Sequence, residues 1–314
     1  MLQNPKLKEL SFLVYGLGLS GCSVVKFFKK NRINNFQVWD DKEKKLYKNL
    51  RTKNLKKTLI RVDYIVLAPG ISLLKNKKLF KFKKKIITDI DLLYLSNKDL
   101  KSIVITGTNG KSTTCKLIAH LLKINKIKYS LGGNIGTPIL DIKNSNNELI
   151  IIEASSFQLS HSKFICPDFA LLLNLTNDHL DWHGNKKNYL NAKLKIFQHQ
   201  KKNQFAIINK NLKKNFLKKN FSSRLIVPKY QDYRRLKYKI KNDYLTSKIN
   251  EENMIFICSI VKLLKIKENL FVNAINSFKG LSHRFEIFLK KKNVTFIDDS
   301  KATSFTSSQL ALSS

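Results

Sequence analysis

Short runs of apolar residues alternate with longer polar segments along most of the chain. The first four runs are FLVYGLG, FQVWD, DYIVLAPG and KKIITD, and their β-branched and aromatic residues predict strands. A segment with helical spacing follows the first run at residues 21–30. Strands that alternate with helices are typical of a doubly wound parallel sheet. The pattern therefore predicts an α/β domain over residues 1–95.

A second alternation of the same kind follows. Strands are predicted at SIVITG, ELIIIEAS, DFALLLNLT and QFAIINK. Helices are predicted at residues 111–124, 189–198, 251–264 and 270–278. Residues 210–250 are rich in Lys, Asn and Tyr, and we predict a short, lysine-rich sheet there. These elements predict a central α/β domain over residues 96–280. From residue 281 the strand-rich stretch RFEIFLKKKNVTFIDDS indicates a third unit, 281–314.

The formal net charge of +37 raises the alternative of a basic nucleic-acid-binding protein. However, the chain has 52 Lys and only 7 Arg, and the lysines are spread over its whole length. Nucleic-acid interfaces rely on Arg for bidentate contacts. Lys, Asn and Ile share A/T-rich codons, and codon bias explains the charge more simply. We therefore predict no specific nucleic-acid partner.

The cysteines and the apolar runs indicate where the chain functions. Its four cysteines are far apart and form no CxxC pair, which is typical of a reduced, cytoplasmic protein. No uninterrupted apolar stretch reaches the roughly 20 residues of a membrane helix. We therefore predict a cytoplasmic protein without a membrane partner, and we expect a monomer.

The first glycine-rich turn is GLGLSG, with Gly16, Gly18 and Gly21 between a predicted strand and a predicted helix. Asp40 follows about two dozen residues later. Glycines in such a turn permit close approach of the backbone to a diphosphate at the helix N-terminus. Taken alone, this motif leaves open an NAD-dependent oxidoreductase.

The second glycine-rich turn is GTNGKST, within IVITGTNGKSTTCKL. Gly107 and Gly110 permit the tight turn, and Lys111 is placed to reach the β- and γ-phosphates of a nucleotide. The hydroxyl of Ser112 or Thr113 is a suitable Mg²⁺ ligand. This turn predicts an ATP site.

Several further motifs occur in a fixed order along the chain. They are GGNIG, EASSFQL, TNDHLD, NAKLKIF, HRFE and DDSKAT. Together with GTNGKST, they resemble the motifs of the Mur ligases, and the combination of SSFQL, HRFE and DSKAT is most similar to the members that add D-glutamate. The resemblance runs from about residue 12 to the end. It implies a Rossmann-like N-terminal domain, a central P-loop ATPase-type domain and the start of a Rossmann-like third domain.

The resemblance also implies a reaction. In this family, ATP phosphorylates the terminal carboxylate of UDP-N-acetylmuramoyl-L-alanine, and the amine of D-glutamate then attacks the acyl phosphate. Both steps concentrate negative charge, so catalysis depends on positioning and on cations. The alternatives within the same architecture are another Mur ligase and a folylpolyglutamate synthase-like ligase.

By the same resemblance, particular residues are expected to act in peptidoglycan synthesis. The catalytic set is Lys111, Glu153, His179 and Lys193. Two Mg²⁺ ions would be held by Ser112, Glu153, His179 and Lys193, the last as a carbamate. The ATP site would comprise Gly107, Thr108, Asn109, Gly110, Lys111, Ser112, Thr113, Asn253, Arg284, Asp299 and Lys301. The UDP-sugar site would comprise Leu19, Ser20, Asp40, Asp41, Lys42, Gly70, Asn134, Ser155 and Gln158.

Two features depart from the family pattern. The stretch matching the adenine-binding GxHNxxN reads TSKINEEN, so Asn250 and Asn253 are kept while the glycine and histidine are replaced. In addition, only about the first 30 residues of the third domain are present, and that domain makes most D-glutamate contacts in the family. We therefore expect a truncated chain that binds UDP-sugar and is a poor catalyst. His183 is expected to be incidental.

Overall fold

The computed structural model contains three β-sheets. It describes residues 4–97, 99–143, 148–176, 178–292, 294–302, 309 and 312. The strands are β1 Phe12–Tyr15, β2 Phe36–Trp39, β3 Tyr64–Leu67, β4 Ile86–Ile87, β5 Ser102–Thr106, β6 Tyr129–Gly133, β7 Leu149–Glu153, β8 Phe169–Leu172, β9 Phe205–Ile208, β10 Arg224–Ile226, β11 Glu286–Lys291 and β12 Val294–Asp298. The helices are α1 Leu19–Lys30, α2 Leu55–Arg61, α3 Lys77–Phe80, α4 Asp89–Ser96, α5 Lys111–Ile124, α6 Ser156–His161, α7 Leu180–His183, α8 Lys186–Leu194, α9 Lys213–Leu217, α10 Tyr230–Lys237, α11 Asp243–Thr246, α12 Lys248–Leu263 and α13 Glu268–Ser277.

The first sheet has the strand order β2-β1-β3-β4, and all its neighbours are parallel. Val14 of β1 pairs with Val38 on one side and with Val66 on the other. These strands consist mostly of apolar residues because helices cover both faces of the sheet. The four strands predicted from the N-terminal pattern are confirmed.

The second sheet has the order β10-β9-β8-β5-β7-β6 and is also parallel throughout. Its central strand, β5, lies between β7 and β8, and α5 packs on one face of the sheet together with α12 and α13. The carboxyl ends of parallel strands meet at one edge, where ligands of such sheets bind. The predicted α/β fold class is confirmed.

The prediction of a lysine-rich sheet in residues 210–250 is wrong. β10 is a three-residue edge strand, and about half of the region forms α9, α10, α11 and the start of α12. Tyr233, Leu236, Ile240 and Leu245 are all buried in the central core. Tyr233 and Leu236 lie on α10, Ile240 follows that helix, and Leu245 lies on α11, so no single helical period runs through these residues.

Residues 281–292 and 294–302 contain the antiparallel pair β11–β12, called the β11–β12 hairpin below, which is largely exposed. Phe285 is buried, and Leu281 packs on the central core, so the base of the hairpin contacts the central sheet unit. The proposed domain bounds 1–95, 96–280 and 281–314 stay a prediction. Thr303 of the DDSKAT motif lies outside the described residues. Over the described part of the chain, no helix has the length and apolar character needed to cross a bilayer.

Candidate active site

The loop GTNGKST lies between β5 and α5, at the carboxyl edge of the central sheet. Gly110 precedes α5 with φ of +80°, and a Cβ there would lie 2.1 Å from Oδ1 of Asn253. The first N–H groups of a helix have no intrahelical acceptor and attract anions. The Nζ atom of Lys111 donates to the carbonyl oxygens of Gly107 and Thr108, at 3.0 and 2.7 Å. The loop therefore has the donors and the lysine of a phosphate-binding site.

A cleft of about 940 Å³ opens at this loop. All the predicted ATP residues except Gly107 line the cleft. The carbonyl oxygen of Gly107 accepts the hydrogen bond from Lys111. The lining residues from that set are Thr108, Asn109, Gly110, Lys111, Ser112, Thr113, Asn253, Arg284, Asp299 and Lys301. Residues that are distant in sequence thus share one cavity large enough for a nucleotide.

The base of the β11–β12 hairpin forms the wall opposite the loop. Nη2 of Arg284 donates to Oγ of Ser112 at 3.3 Å. Asp299 accepts the backbone N–H of Phe285 at 3.1 Å. Two cationic side chains, Arg284 and Lys301, therefore line the cleft opposite Lys111.

Glu153 ends β7 at the same edge, and its side chain is buried. Its Oε1 atom accepts Nδ2 of Asn134 at 2.8 Å. Its Oε2 atom is buried and makes no hydrogen bond within the described residues. Burial lowers the pKa of Lys111, and the Glu153 carboxylate acts in the opposite direction. A buried carboxylate oxygen without a partner, beside a hydroxyl and a phosphate loop, is a donor set that suits Mg²⁺.

Lys193 lies on α8 and is buried, with 1% of its surface exposed. Its Nζ atom donates to the carbonyl oxygen of Gly107 at 2.7 Å and lies 4.6 Å from the ring centroid of Tyr189. Burial, followed by the charge of Lys111, lowers the pKa of Lys193 well below its usual value. Both effects favour the neutral amine over the ammonium form.

His179 does not line the cleft. Its ring is exposed and lies tilted by 55° against Phe157, with centroids 4.7 Å apart. Its Nε2 atom lies 3.3 Å from Oδ2 of Asp178. His183, in contrast, is buried among aromatic rings and shares a hydrogen bond of 2.9 Å with Ser156. Burial lowers the pKa of His183 to about 4. The structure thus brings Lys111, Ser112, Glu153 and Lys193 together and leaves His179 outside the cleft.

The N-terminal glycine loop lies between β1 and α1, and Asp40 closes it. Asp40 accepts the backbone N–H groups of Leu17, Lys42 and Glu43, at 2.7, 2.8 and 2.9 Å. Partial burial acts to raise the pKa of Asp40, but these donors together lower it.

The remaining N-terminal candidates lie around this loop. Leu19 is exposed, Ser20 is partly buried, and Lys42 and Gly70 are exposed. Asp41 accepts the hydroxyl of Tyr15 at 2.8 Å and the indole N–H of Trp39 at 3.0 Å. This segment therefore presents an accessible surface on which Asp40 and Asp41 are already engaged by the protein.

Two of the predicted sugar-binding side chains have partners within the protein. Ser155 and Gln158 form the capping box at the start of α6. Gln158 is buried, and its Nε2 atom donates to both carboxylate oxygens of Asp89 at 3.3 Å. Asn134, by comparison, lines the cleft.

Sequence reasoning missed Asn174 and Glu252, which also line the cleft. Oδ1 of Asn174 accepts the N–H groups of Thr108 and Asn109, at 3.0 and 2.8 Å. Asn174 lies at the end of a predicted strand. That position at the carboxyl edge of the sheet could have indicated it as a site residue. Glu252 lies within a helical pattern and gives no local signal.

The fold and the loop define a nucleotide-binding α/β protein, and comparisons give its family. Residues 105–274 match the Mur ligase middle domain. A UDP-N-acetylmuramoylalanine–D-glutamate ligase from Rickettsia prowazekii is 34% identical, covering 94% of this chain and 72% of that protein. The corresponding ligase from Rickettsia felis is 35% identical, covering 92% and 70%. The MurF ligase of Thermotoga maritima, solved in complex with ADP, has a TM-score of 0.53 at 18% identity, covering 100% of this chain and 73% of that chain.

The chain belongs to the Mur ligase family. The likeness to the MurF structure shows the shared fold. The predictions of the family and of an ATP-dependent ligase of peptidoglycan synthesis are confirmed by these matches. The matches favour a ligase over the alternatives of a nucleic-acid-binding protein and an oxidoreductase.

Proposed function

We propose that this protein joins D-glutamate to UDP-N-acetylmuramoyl-L-alanine with ATP. The observation that carries this proposal is the single cleft in which Lys111, Glu153 and Arg284 converge. The relatives named for this activity in two Rickettsia species support the choice of substrates.

In the proposed reaction, the loop of residues 107–113 holds the ATP phosphates through backbone N–H groups and Lys111. Arg284 and Lys301 approach from the opposite wall and offset the negative charge that accumulates as the phosphoryl group moves to the substrate carboxylate. The D-glutamate amine then displaces phosphate from the acyl phosphate, and an amide forms. The N-terminal loop near Asp40 would bind the uridine diphosphate.

The residues present fit Mg²⁺. Glu153, through the oxygen that has no hydrogen bond among the described residues, and Ser112, through its hydroxyl, would hold an ion that neutralises phosphate charge. Lys193 is suited to carbamylation because burial and the charge of Lys111 favour its neutral amine. In this step the nitrogen attacks CO₂, forms an N–C bond and releases a proton. A second ion, with the carbamate of Lys193 and His179 as ligands, stays a prediction, as do the monomeric state and the cytoplasmic location.

Phosphate release tests the activity. We expect release that is slow, in line with the poor catalysis expected of this chain, and that needs ATP, Mg²⁺, UDP-N-acetylmuramoyl-L-alanine and D-glutamate together. It should fall when L-glutamate or diaminopimelate replaces D-glutamate. Preference for another amino acid would identify another Mur ligase activity. As a readout independent of turnover, ADP should raise the melting temperature of the wild type and not of Lys111→Ala. Equal responses of the two proteins would overturn the proposed ATP site.

A further inference from the structure

We propose that Glu252 is a positioning residue for the phosphate loop and acts through the side-chain amide of Asn174. This inference rests on the proposed ATP site and adds a part that none of the predicted site residues supplies. Glu252 lies on α12, and Asn174 follows β8, so the contact joins two elements on either side of the loop.

Every hydrogen-bonding position of the Asn174 amide is occupied. Its Oδ1 atom accepts the N–H groups of Thr108 and Asn109, at 3.0 and 2.8 Å. Its Nδ2 atom donates to the carbonyl oxygen of Asn109 at 3.2 Å and to Oε2 of Glu252 at 2.5 Å. An amide offers two donors and two acceptor lone pairs, so this group is fully satisfied in one orientation.

Glu252 reinforces that orientation, which the backbone groups of Thr108 and Asn109 also favour. A carboxylate only accepts hydrogen bonds, so the NH₂ group of Asn174 must face it. If the amide turned by 180°, its NH₂ group would face the N–H donors of Thr108 and Asn109. Asn109 would then lose this acceptor, and Thr108 would keep only its bond to the backbone carbonyl oxygen of Asn174, at 3.2 Å. The other oxygen of Glu252 accepts Nδ2 of Asn209 at 2.5 Å, which holds the carboxylate itself in place.

The consequence for the loop is a division of its N–H groups. Those of Thr108 and Asn109 are bound to Asn174, whereas those at the start of α5 have no intrahelical acceptor and remain for phosphate. A loop already held in this form loses less entropy when it binds a nucleotide. Glu252 therefore contributes to nucleotide affinity without touching the reacting atoms.

The test measures ADP binding by calorimetry in Glu252→Gln, with Glu268→Gln as the matched control on the surface. Glutamine presents an NH₂ group to one of the two asparagines, so we expect ADP to bind about tenfold more weakly, with the melting temperature nearly unchanged. Glu268→Gln should bind ADP like the wild type. Asn174→Asp should lose more affinity because two carboxylates then face each other, and adding Glu252→Gln to it should restore part of the loss.

Wild-type affinity in Glu252→Gln, or a double variant no better than Asn174→Asp, would overturn the inference. Hydrogen exchange provides a second readout: the amides of Thr108 and Asn109 should exchange faster in Glu252→Gln, while those of the β5 core do not. Unchanged exchange at both amides would also overturn the inference. ADP binding that depends on Lys111 but not on Glu252 would refute this inference alone, whereas binding that does not depend on Lys111 would refute the proposed ATP site.

Discussion

The ammonium groups of Lys111 and Lys193 both donate to the carbonyl oxygen of Gly107, at 3.0 and 2.7 Å. Two cations at one acceptor repel each other, and burial adds to this because it removes water from both. The pKa of Lys193 falls well below its usual value for these reasons, burial being the larger. The fold therefore favours the neutral form of Lys193 more strongly than water does.

We predict that Lys193→Met is at least as stable as the wild type at pH 7 in CO₂-free buffer. The unfolded chain binds the lysine proton more tightly than the folded chain does, at about 1.4 kcal/mol for each unit of pKa depression. This penalty disappears as the pH rises toward about 10.4, so the advantage of the variant should shrink there. Urea denaturation at pH 7 and pH 10 measures both quantities.

The matched control is Lys187→Met, an exposed position on the same helix, which should change stability by less than about 0.5 kcal/mol. Bicarbonate should reduce the advantage of Lys193→Met by converting the wild-type amine to a carbamate. A variant that is strongly destabilised at pH 7 would contradict the prediction.

Gly110→Ala should weaken ADP binding at least tenfold. The new methyl group would lie 2.1 Å from Oδ1 of Asn253, so either the loop or that asparagine must move. Calorimetric titration with ADP measures the loss.

Gly280→Ala is the control for Gly110→Ala because its φ is also +80°, while its nearest neighbour, Tyr244, is 3.6 Å away. Gly280→Ala has the same backbone strain as Gly110→Ala, of order 1 kcal/mol, but it makes no contact as close as the one with Asn253. Equal ADP binding by the two variants would show that the contact with Asn253 has no effect.

Gly21→Ala should destabilise the N-terminal unit by about 2 kcal/mol or more, because its Cβ would lie 1.8 Å from the carbonyl oxygen of Gly16. Gly18 lies in the same loop, and a Cβ there would have nothing within 4 Å. Gly18→Ala should therefore be close to neutral in stability. Thermal denaturation of both variants gives the comparison, and similar losses in the two would be the contrary result.

Asp89→Asn should gain stability relative to the wild type as the pH rises. Burial raises the pKa of Asp89 to about 6, above the ordinary value of 3.8, so the folded state holds the proton more tightly. The wild type therefore loses stability between about pH 4 and pH 6, and the asparagine variant lacks this loss. The relative gain amounts to about 3 kcal/mol for two pKa units.

Urea denaturation of Asp89→Asn and the wild type at pH 4 and pH 7 measures this change. Asp63→Asn is a suitable control because hydrogen bonds from Ser11 lower the pKa of the Asp63 carboxyl. The stability of Asp63→Asn relative to the wild type should therefore fall as the pH rises. A stability difference between Asp89→Asn and the wild type that is independent of pH would refute the prediction.

Elements with a strong local period were predictable. The strands of both parallel sheets are short β-branched runs, and α5 begins and ends where the pattern after GTNGKST predicts. β6 was missed because its five residues include Gly132 and Gly133, which weaken a strand signal. Residues 210–250 were misread because α9, α10 and α11 are too short to give a long helical period.

The site was predictable only in part. The phosphate loop is local, so its glycines and lysine could be read directly from neighbouring residues. The cleft position of Arg284 depends on a contact with Ser112, 172 residues earlier in the chain, and only the family resemblance indicated it. Neither the periodicity nor the motifs of the sequence indicated that His179 lies outside the cleft. They also gave no sign of the hydrogen bond between Glu252 and Asn174.

The sequence by itself determined the two glycine loops, the alternation of strands and helices, and the family. Each of these depends on neighbouring residues or on ordered motifs along the chain. The tertiary structure alone decided that Lys111 and Lys193 share one acceptor, that Glu153 keeps a buried oxygen without a partner within the described residues, and that Glu252 reinforces the orientation of Asn174. The physical reason is that parallel strands bring their carboxyl ends to one edge, where residues far apart in the chain meet and lose their water together.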